Sequence, residues 1–128
     1  EYRRQRQMCI RDRLHFLSFI DKKDCFFQRR KVMIKHIVCF KLKDNSLEEC
    51  EKARDILKSM EVNVPLLRGI EVGVDLLHSQ RSYDVILQVK LDDTKALEEY
   101  QNDEYHCSVV KKHMHQVAQS SIAIDYEI

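Results

Sequence analysis

The sequence predicts an α+β protein of the ferredoxin-like type, in which a four-stranded antiparallel sheet carries both helices on one face. Four segments of residues 33–128 show the alternation of apolar and polar residues that is typical of strands. Two segments with helical periodicity lie between strands one and two and between strands three and four, so the predicted order is β-α-β-β-α-β. The chain contains only two Gly and one Pro, which favours long elements and short connections.

The first strand covers residues 33–42, a dense apolar run rich in β-branched and aromatic residues. Alternation places five side chains on its more apolar face: Ile34, His36, Val38, Phe40 and Leu42. His36 is the ionisable member of this set, which makes it a candidate site residue. The alternative is a core histidine that hydrogen bonds to a structural partner.

A helix follows, because Ser46 and Glu49 form a Ser-x-x-Glu capping box. Its predicted buried stripe recurs at helical spacing and comprises Cys50, Ala53, Leu57 and Met60. Pro65 cannot continue a helix, so the helix is predicted to end near Met60.

The second and third strands are predicted at 66–77 and 83–91, where apolar and polar residues alternate again, and a polar connection joins them. Gly69 and Gly73 share one face of the second strand. Glycines at such positions leave room for a bulge or a close-packed neighbour.

The second helical region is predicted to be interrupted. A cap cluster at 92–94 precedes a short helix that contains Tyr100, and the polar stretch 101–104 breaks it. Asp103 can then cap a second helix, and residues 122–128 close the chain as a strand. The stripe of this second helix comprises His106, Val109, Val110, His113 and Val117.

This break has a chemical consequence. On one straight helix, Tyr100 and His106 would lie about 240° apart, whereas two segments that meet at an angle let them converge. The positive end of the second helix disfavours the imidazolium form of His106, so the ring is expected to be a neutral base near pH 7. Tyr100 and His36 are then candidates to donate hydrogen bonds to an enolate. The alternative is that Tyr100 packs in the core and His106 satisfies a backbone carbonyl.

Charge is distributed unevenly along the chain. Residues 1–32 contain ten Lys and Arg against four Asp and Glu, a net charge of +6, while residues 33–128 contain twelve against seventeen, a net charge of −5. The acidic body argues against a nucleic-acid partner. Charged residues interrupt the longest apolar runs, which argues against a membrane partner. The five Cys lack metal-type spacing, and we interpret them as free thiols of a cytoplasmic protein.

Residues 1–32 are predicted to be a non-native or disordered extension, separate from the domain at 33–128. The peptide Met-Cys-Ile-Arg-Asp-Arg at 8–13 resembles one translation frame of the transposon-end adapter used in sequencing libraries. In this interpretation the rest of the extension is translated upstream sequence and Met33 is the natural start. The alternative is an amphipathic arm that uses four apolar residues: Phe16, Leu17, Phe19 and Ile20.

Two helices on one face leave the other face of the sheet uncovered. This face is predicted to hold Ile37, Cys39, Ile86 and Ala123. An apolar patch of this kind is unfavourable in water, and a short body has little core to spare. Pairing two sheets face to face covers both patches, so we expect a homodimer.

Several short motifs together resemble one family, the stress-responsive dimeric α/β-barrel (Dabb) proteins. The motifs are Met33-Ile34-Lys35-His36-Ile37-Val38, Phe40-Lys41-Leu42-Lys43, Gly69-Ile70-Glu71-Val72-Gly73, Tyr83-Asp84, Leu97–Tyr100 followed by His106, and Asp125-Tyr126-Glu127-Ile128. Their order and spacing cover residues 33–128. The resemblance implies a dimeric α/β barrel, in which two sheets form one barrel with the helices outside.

The chain is also similar to plant polyketide cyclases of this family, the olivetolic acid cyclase type. The resemblance implies that the Tyr and His that serve there as the acid–base pair of an intramolecular aldol condensation fall on Tyr100 and His106. The strand His of the family falls on His36. The chain departs from the pattern at Leu57, where those cyclases have a second pocket Tyr, and at 103–104, where Asp-Glu replaces His-Pro.

Two function classes remain open. One is a stress-response homodimer of unassigned reaction that binds a small hydrophobic or polyketide-like molecule, and the other is a cyclase or aldol-type enzyme. Neither class implies a cofactor. A metal site built on His106, His113 and His115 is disfavoured, because these side chains diverge on a helix and no carboxylate or thiol completes the set.

Overall fold

The computed structural model describes residues 32–128. The elements are β1 (Ile34–Leu42), α1 (Leu47–Lys58), α2 (Met60–Asn63), β2 (Gly69–Val74), β3 (Val85–Leu91), α3 (Thr94–Gln101), a π-helical segment (His106–Lys111), α4 (Lys112–Val117) and β4 (Ala118–Glu127). Between residues 32 and 128, no helix combines the length and apolar character that crossing a bilayer requires. Apart from Val32, the extension predicted at 1–32 lies outside the described residues.

The four strands form one antiparallel sheet in the order β2-β3-β1-β4, so the predicted ferredoxin-like fold class is confirmed. Val38 of β1 lies opposite Leu87 of β3 and Ala123 of β4. Because residues directly opposite each other share a sheet face, this register defines which side chains point toward the helices. The buried core lies on that helix face and includes Leu57, Met60, Val85, Leu87, Val89, Leu91 and Tyr100.

The predicted helix starts are confirmed by side-chain caps. Ser46 Oγ accepts a hydrogen bond from the backbone N–H of Glu49 at 3.4 Å, at the start of α1. Asp93 accepts from the backbone N–H of Ala96 at 2.7 Å, at the start of α3. Each cap satisfies a backbone donor that has no partner within its helix.

The second, third and fourth strands differ in length from their predictions, and β3 begins at Val85 rather than at 83. β2 covers Gly69–Val74, shorter at both ends than the predicted 66–77, although the Asp75 N–H still donates to the Asp84 carbonyl at 2.8 Å. The buried Asp84 carboxylate accepts a hydrogen bond from the Leu42 backbone N–H at 2.8 Å. β4 begins at Ala118 rather than near Ile122, because its pairing with β1 continues as far as Leu42.

The sheet face away from the helices, which we call the open face, is apolar, but one predicted member is wrong. Ala123 lies opposite Val38 and therefore faces the helices. Its neighbours Ile122 and Ile124 take the open face, opposite Cys39 and Ile37, where they are 49% and 61% exposed. Alternation along a strand separates two faces but does not say which face is outermost, and the pairing register decides it.

Candidate functional site

A cavity of about 460 Å³ lies between the helix face of the sheet and the helical region. A cavity of this size lies in the range of small-molecule binding sites. It is lined by His36, Val38, Phe40, Leu57, Leu87, Tyr100, Gln101, His106, Val110, Lys111, Met114, His115, Ala118, Gln119, Ser120, Ser121 and Ala123. The structure thus brings the three candidate site residues, His36, Tyr100 and His106, to one cavity.

Tyr100 lies at the centre of this group and is fully buried. Its ring stacks on His106 with 4.2 Å between centroids and meets the edge of His36 at 5.7 Å. Its hydroxyl donates to Met60 Sδ at 3.7 Å, within the core. Burial, and secondarily Asp103, raise the pKa of the Tyr100 phenol, so the hydroxyl stays protonated. In this conformation Tyr100 orients His106 with its ring while its hydroxyl is turned to Met60.

His106 begins the π-helical segment, where the backbone changes direction after α3. Its N–H donates to Asp103 Oδ2 at 3.0 Å, so Asp103 caps this segment as predicted. Its ring Nδ1 lies 3.1 Å from the backbone carbonyl of Tyr100. A carbonyl can only accept, so the ring proton is on Nδ1 and Nε2 keeps its lone pair. Within residues 32–128, Nε2 has no hydrogen-bond partner.

His106 is neutral at pH 7. Burial lowers its pKa to about 4, the positive charge of Lys111 adds to the effect, and the hydrogen bond to the Tyr100 carbonyl opposes it. The ring was expected to be neutral because of its position at the positive end of a helix. Its neutrality has a different main cause, which is the loss of hydration on burial.

Asp125 is a contributor that the sequence did not reveal. It lies opposite His36 in the pairing of β1 with β4, and its Oδ1 accepts a hydrogen bond from His36 Nδ1. His36 is 6% exposed, and the carboxylate fixes the orientation of its ring at the cavity wall. The signal was Asp125 itself, a charged residue within an apolar strand, but its face became known only with the register.

Lys111 is the second contributor that the sequence did not reveal. It closes the π-helical segment, and its Nζ donates to the backbone carbonyl of Gln101 at 3.3 Å. In an α-helix, residues five apart lie about 140° from each other around the axis. The i→i+5 hydrogen bonds of a π-helix return the fifth residue close to the starting face, so Lys111 lines the same cavity as His106.

No group of three or more His, Cys, Asp or Glu within residues 32–128 is arranged to hold a metal ion. His115 lines the cavity, while the neighbouring His113 has a buried Nε2 without a partner in the described part of the chain. Cys39, Cys50 and Cys107 are free thiols. The other two cysteines lie outside the described residues.

Acidification is expected to destabilise the fold through His106. Its pKa is about 4 in the folded state against 6.5 ordinarily, so the unfolded chain takes up the proton first as the pH falls. The contribution of neutral His106 to the free energy of unfolding is fully present above about pH 6.5, and it is lost progressively as the pH falls toward 4. Between about pH 7.5 and about pH 5 the loss is about 2 kcal/mol.

Urea unfolding followed by circular dichroism, at both pH values and one protein concentration, measures this loss. His106→Gln serves as the reference because its side chain does not titrate. The parent protein should lose about 2 kcal/mol more than the variant between the two pH values. Equal losses would show that His106 titrates normally in the folded state.

Comparison with known proteins agrees with this architecture. The model of the family described as "Stress responsive A/B Barrel Domain" matches residues 34–128. A comparison with curated protein sequences gives no match. Among solved structures, a dimeric protein of unknown function and ferredoxin-like fold from Bacteroides fragilis is similar with 25% identity and a TM-score of 0.63, over 75% of this chain and 96% of that chain.

Two further structures share the fold. A Dabb family protein from Mesorhizobium loti has 23% identity and a TM-score of 0.59, over 74% of this chain and 95% of that chain. The hydroxynitrile lyase from Passiflora edulis has 12% identity and a TM-score of 0.66, over 77% of this chain and 95% of that chain. Since the family model spans almost the whole described domain, the chain belongs to the stress-responsive A/B barrel domain family.

Proposed function

We propose that this protein is a small-molecule-binding homodimer that takes its ligand into the cavity beside His36, Tyr100 and His106. One observation carries the proposal: a cavity of about 460 Å³ is lined by the ring of His106, whose Nε2 has no partner within residues 32–128. The lone pair of Nε2 is open to the cavity rather than fully buried, so a ligand hydroxyl or enol can donate a hydrogen bond to it there. The apolar lining accommodates the remainder of such a ligand.

The homodimer is proposed on the open face. Ile37, Cys39, Ile86, Ile122 and Ile124 form a contiguous apolar set there, as the strand register shows. Sheet-to-sheet pairing with a second copy removes this surface from water. The Bacteroides fragilis structure with the same fold is described as dimeric, which supports the proposal. The free thiols of Cys39, Cys50 and Cys107 support a cytoplasmic location.

An aldol-type enzyme, such as a polyketide cyclase, is the second candidate. In that reaction His106 Nε2 takes a proton from the carbon between two carbonyl groups. The resulting enolate carbon bonds to another carbonyl carbon of the same chain, and the imidazolium returns the proton to the new alkoxide. The unpartnered Nε2 at the cavity wall favours this candidate. The Passiflora edulis neighbour is named as a hydroxynitrile lyase, so the same fold is compatible with an enzyme.

The pKa of His106 ranks the two candidates. A general base works best when its pKa lies near the working pH, and a pKa of about 4 makes the ring a weak base at neutral pH. Hydrogen-bond acceptance from a ligand needs no protonation of the ring. The low pKa of His106 therefore favours binding over catalysis.

Binding is tested by titrating 4-butylphenol and its methyl ether, 4-butylanisole, into isotopically labelled protein and following amide shifts by NMR. The phenol should bind about tenfold more tightly, because only the phenol donates a hydrogen bond to His106 Nε2. His106→Ala should remove this difference, and His115→Ala, an exposed histidine of the same cavity, should preserve it.

The same samples separate the two candidates. In D₂O, an enzyme of the aldol type would accelerate the exchange of the central C–H hydrogen of pentane-2,4-dione for deuterium. The parent protein would then exchange this hydrogen faster than the His106→Ala variant. Binding without faster exchange supports the binding protein, and exchange that depends on His106 supports the enzyme. Absence of shifts at the cavity with both aromatic probes would contradict the proposed function.

A further inference from the structure

The charge lining the cavity is of one sign. Lys111 carries the formal positive charge among the lining residues, and no Asp or Glu of residues 32–128 lines the cavity. Two acidic groups act on lining residues from outside: Asp125 bonds to His36, and Asp103 bonds to the backbone N–H of His106. The wall that a ligand meets therefore carries a cation without a carboxylate beside it.

Lys111 is held in place without being neutralised. Its Nζ donates to the backbone carbonyl of Gln101, at the end of α3, and forms no ion pair within residues 32–128. An ammonium group has three donors, and this contact uses one of them. A half-buried ammonium with two donors left and no counter-ion favours an anionic partner.

The rest of the lining divides by element. Apart from His36, β1, β3 and α1 contribute apolar side chains: Val38, Phe40, Leu87 and Leu57. The polar side chains Gln119, Ser120 and Ser121 come from the start of β4, close in sequence to His115. A molecule with an apolar chain and a polar head matches this division.

We propose that the ligand of this cavity is an amphipathic carboxylate, whose carboxylate group pairs with Lys111 while its hydrocarbon chain packs against the apolar side chains of the sheet and α1. The inference rests on the proposed function, because it names the class of ligand for the same cavity. The π-helical segment is what makes the arrangement possible, since it brings His106 and Lys111 to one wall. Octanoate occupies roughly 200 Å³ at protein-like packing density, which the cavity accommodates.

The test compares octanoate with octanamide, which has the same shape and no charge, by NMR titration of the full chain at neutral pH. We expect octanoate to bind about tenfold more tightly than octanamide and to shift the amides of the π-helical segment. This comparison uses the parent protein and needs no variant to fold.

Three variants assign the preference to one side chain. Lys111→Met should lower the affinity for octanoate about tenfold, to that of octanamide, and Lys111→Arg should preserve it. Lys112→Met removes the same charge from the next, exposed position, which does not line the cavity, and should leave the affinity unchanged.

The outcomes separate this inference from the proposed function. If the acid and the amide bind the cavity equally, the anion preference is overturned and small-molecule binding stands. If Lys112→Met weakens octanoate binding as much as Lys111→Met, the effect is one of general charge and the assignment to Lys111 is overturned. If neither octanoate nor octanamide shifts a cavity amide, the inference is overturned, while the proposed function is decided by the two aromatic probes.

Discussion

Replacing Ile86 with Asp is expected to convert the proposed homodimer into a monomer or an insoluble protein. Ile86 lies on β3, in the interior of the open face, opposite Cys39 on one side and Gly73 on the other. Its side chain packs closely there, since a Cβ at Gly73 would lie 3.3 Å from Ile86 Cγ2. A carboxylate buried between two sheets loses its hydration without gaining a partner, which costs about 4 kcal/mol or more, or roughly a thousandfold in dimer affinity.

Two further variants separate loss of the interface from loss of the fold. Ile124→Asp alters a side chain that is 61% exposed in a single protomer, so it should break the dimer while the protomer stays folded. Val62→Asp makes the same kind of change at an exposed position of α2, away from the sheet, and should leave the dimer intact. Light scattering after size-exclusion chromatography measures the mass of each. A well-folded monomer for the parent protein would refute sheet pairing.

Tyr100→Ala is expected to destabilise the protein by about 3–5 kcal/mol. The ring is fully buried, and its removal deletes the stacking on His106 and the contact with Met60 at once. A loss of this size is a large part of the stability of a small domain. Urea unfolding at a fixed protein concentration measures it.

Tyr100→Phe keeps the ring and removes the hydroxyl, which separates packing from chemistry. The lost O–H···S contact is weak, so the expected destabilisation is below about 1 kcal/mol. Because the hydroxyl points to Met60, 4-butylphenol should bind this variant as tightly as the parent protein. If the chain catalyses a reaction and Tyr100→Phe abolishes it at unchanged stability, the hydroxyl must leave Met60 and act as the proton donor.

The sequence predicted the local features of the fold well because they depend on near neighbours. The cluster at 92–94 and Asp103 were identified as caps from their positions beside helical segments, and Asp93 of the cluster and Asp103 both form capping hydrogen bonds. The alternation in β1 placed His36 with the core residues, where it is buried. Features of this kind follow from the spacing of a few residues along the chain.

The parts of the site that escaped prediction depend on distant pairing or on an unusual helix. Asp125 meets His36 across 89 residues of chain, and the face it occupies follows from the register of β4 on β1. Ala123 was placed on the wrong face for the same reason. Lys111 reaches the cavity because it lies in a π-helical segment. A periodicity of 3.6 residues would place Lys111 on a different helix face from His106.

That segment also makes the number of residues between two positions matter as much as their identity. Each i→i+5 turn holds one residue more than an α-helical turn, so His106–Lys111 carries a surplus residue relative to an α-helix. Deleting one residue there would remove this surplus, whereas deleting one at the start of α4, which has none, would rotate everything that follows by about 100° relative to α3. Met114 would leave the core and Ala118 would lose its alignment with Leu42. A change in the length of α4 would have to be compensated elsewhere, and the π-helical segment can absorb one residue only while His106 and Lys111 keep their places at the cavity.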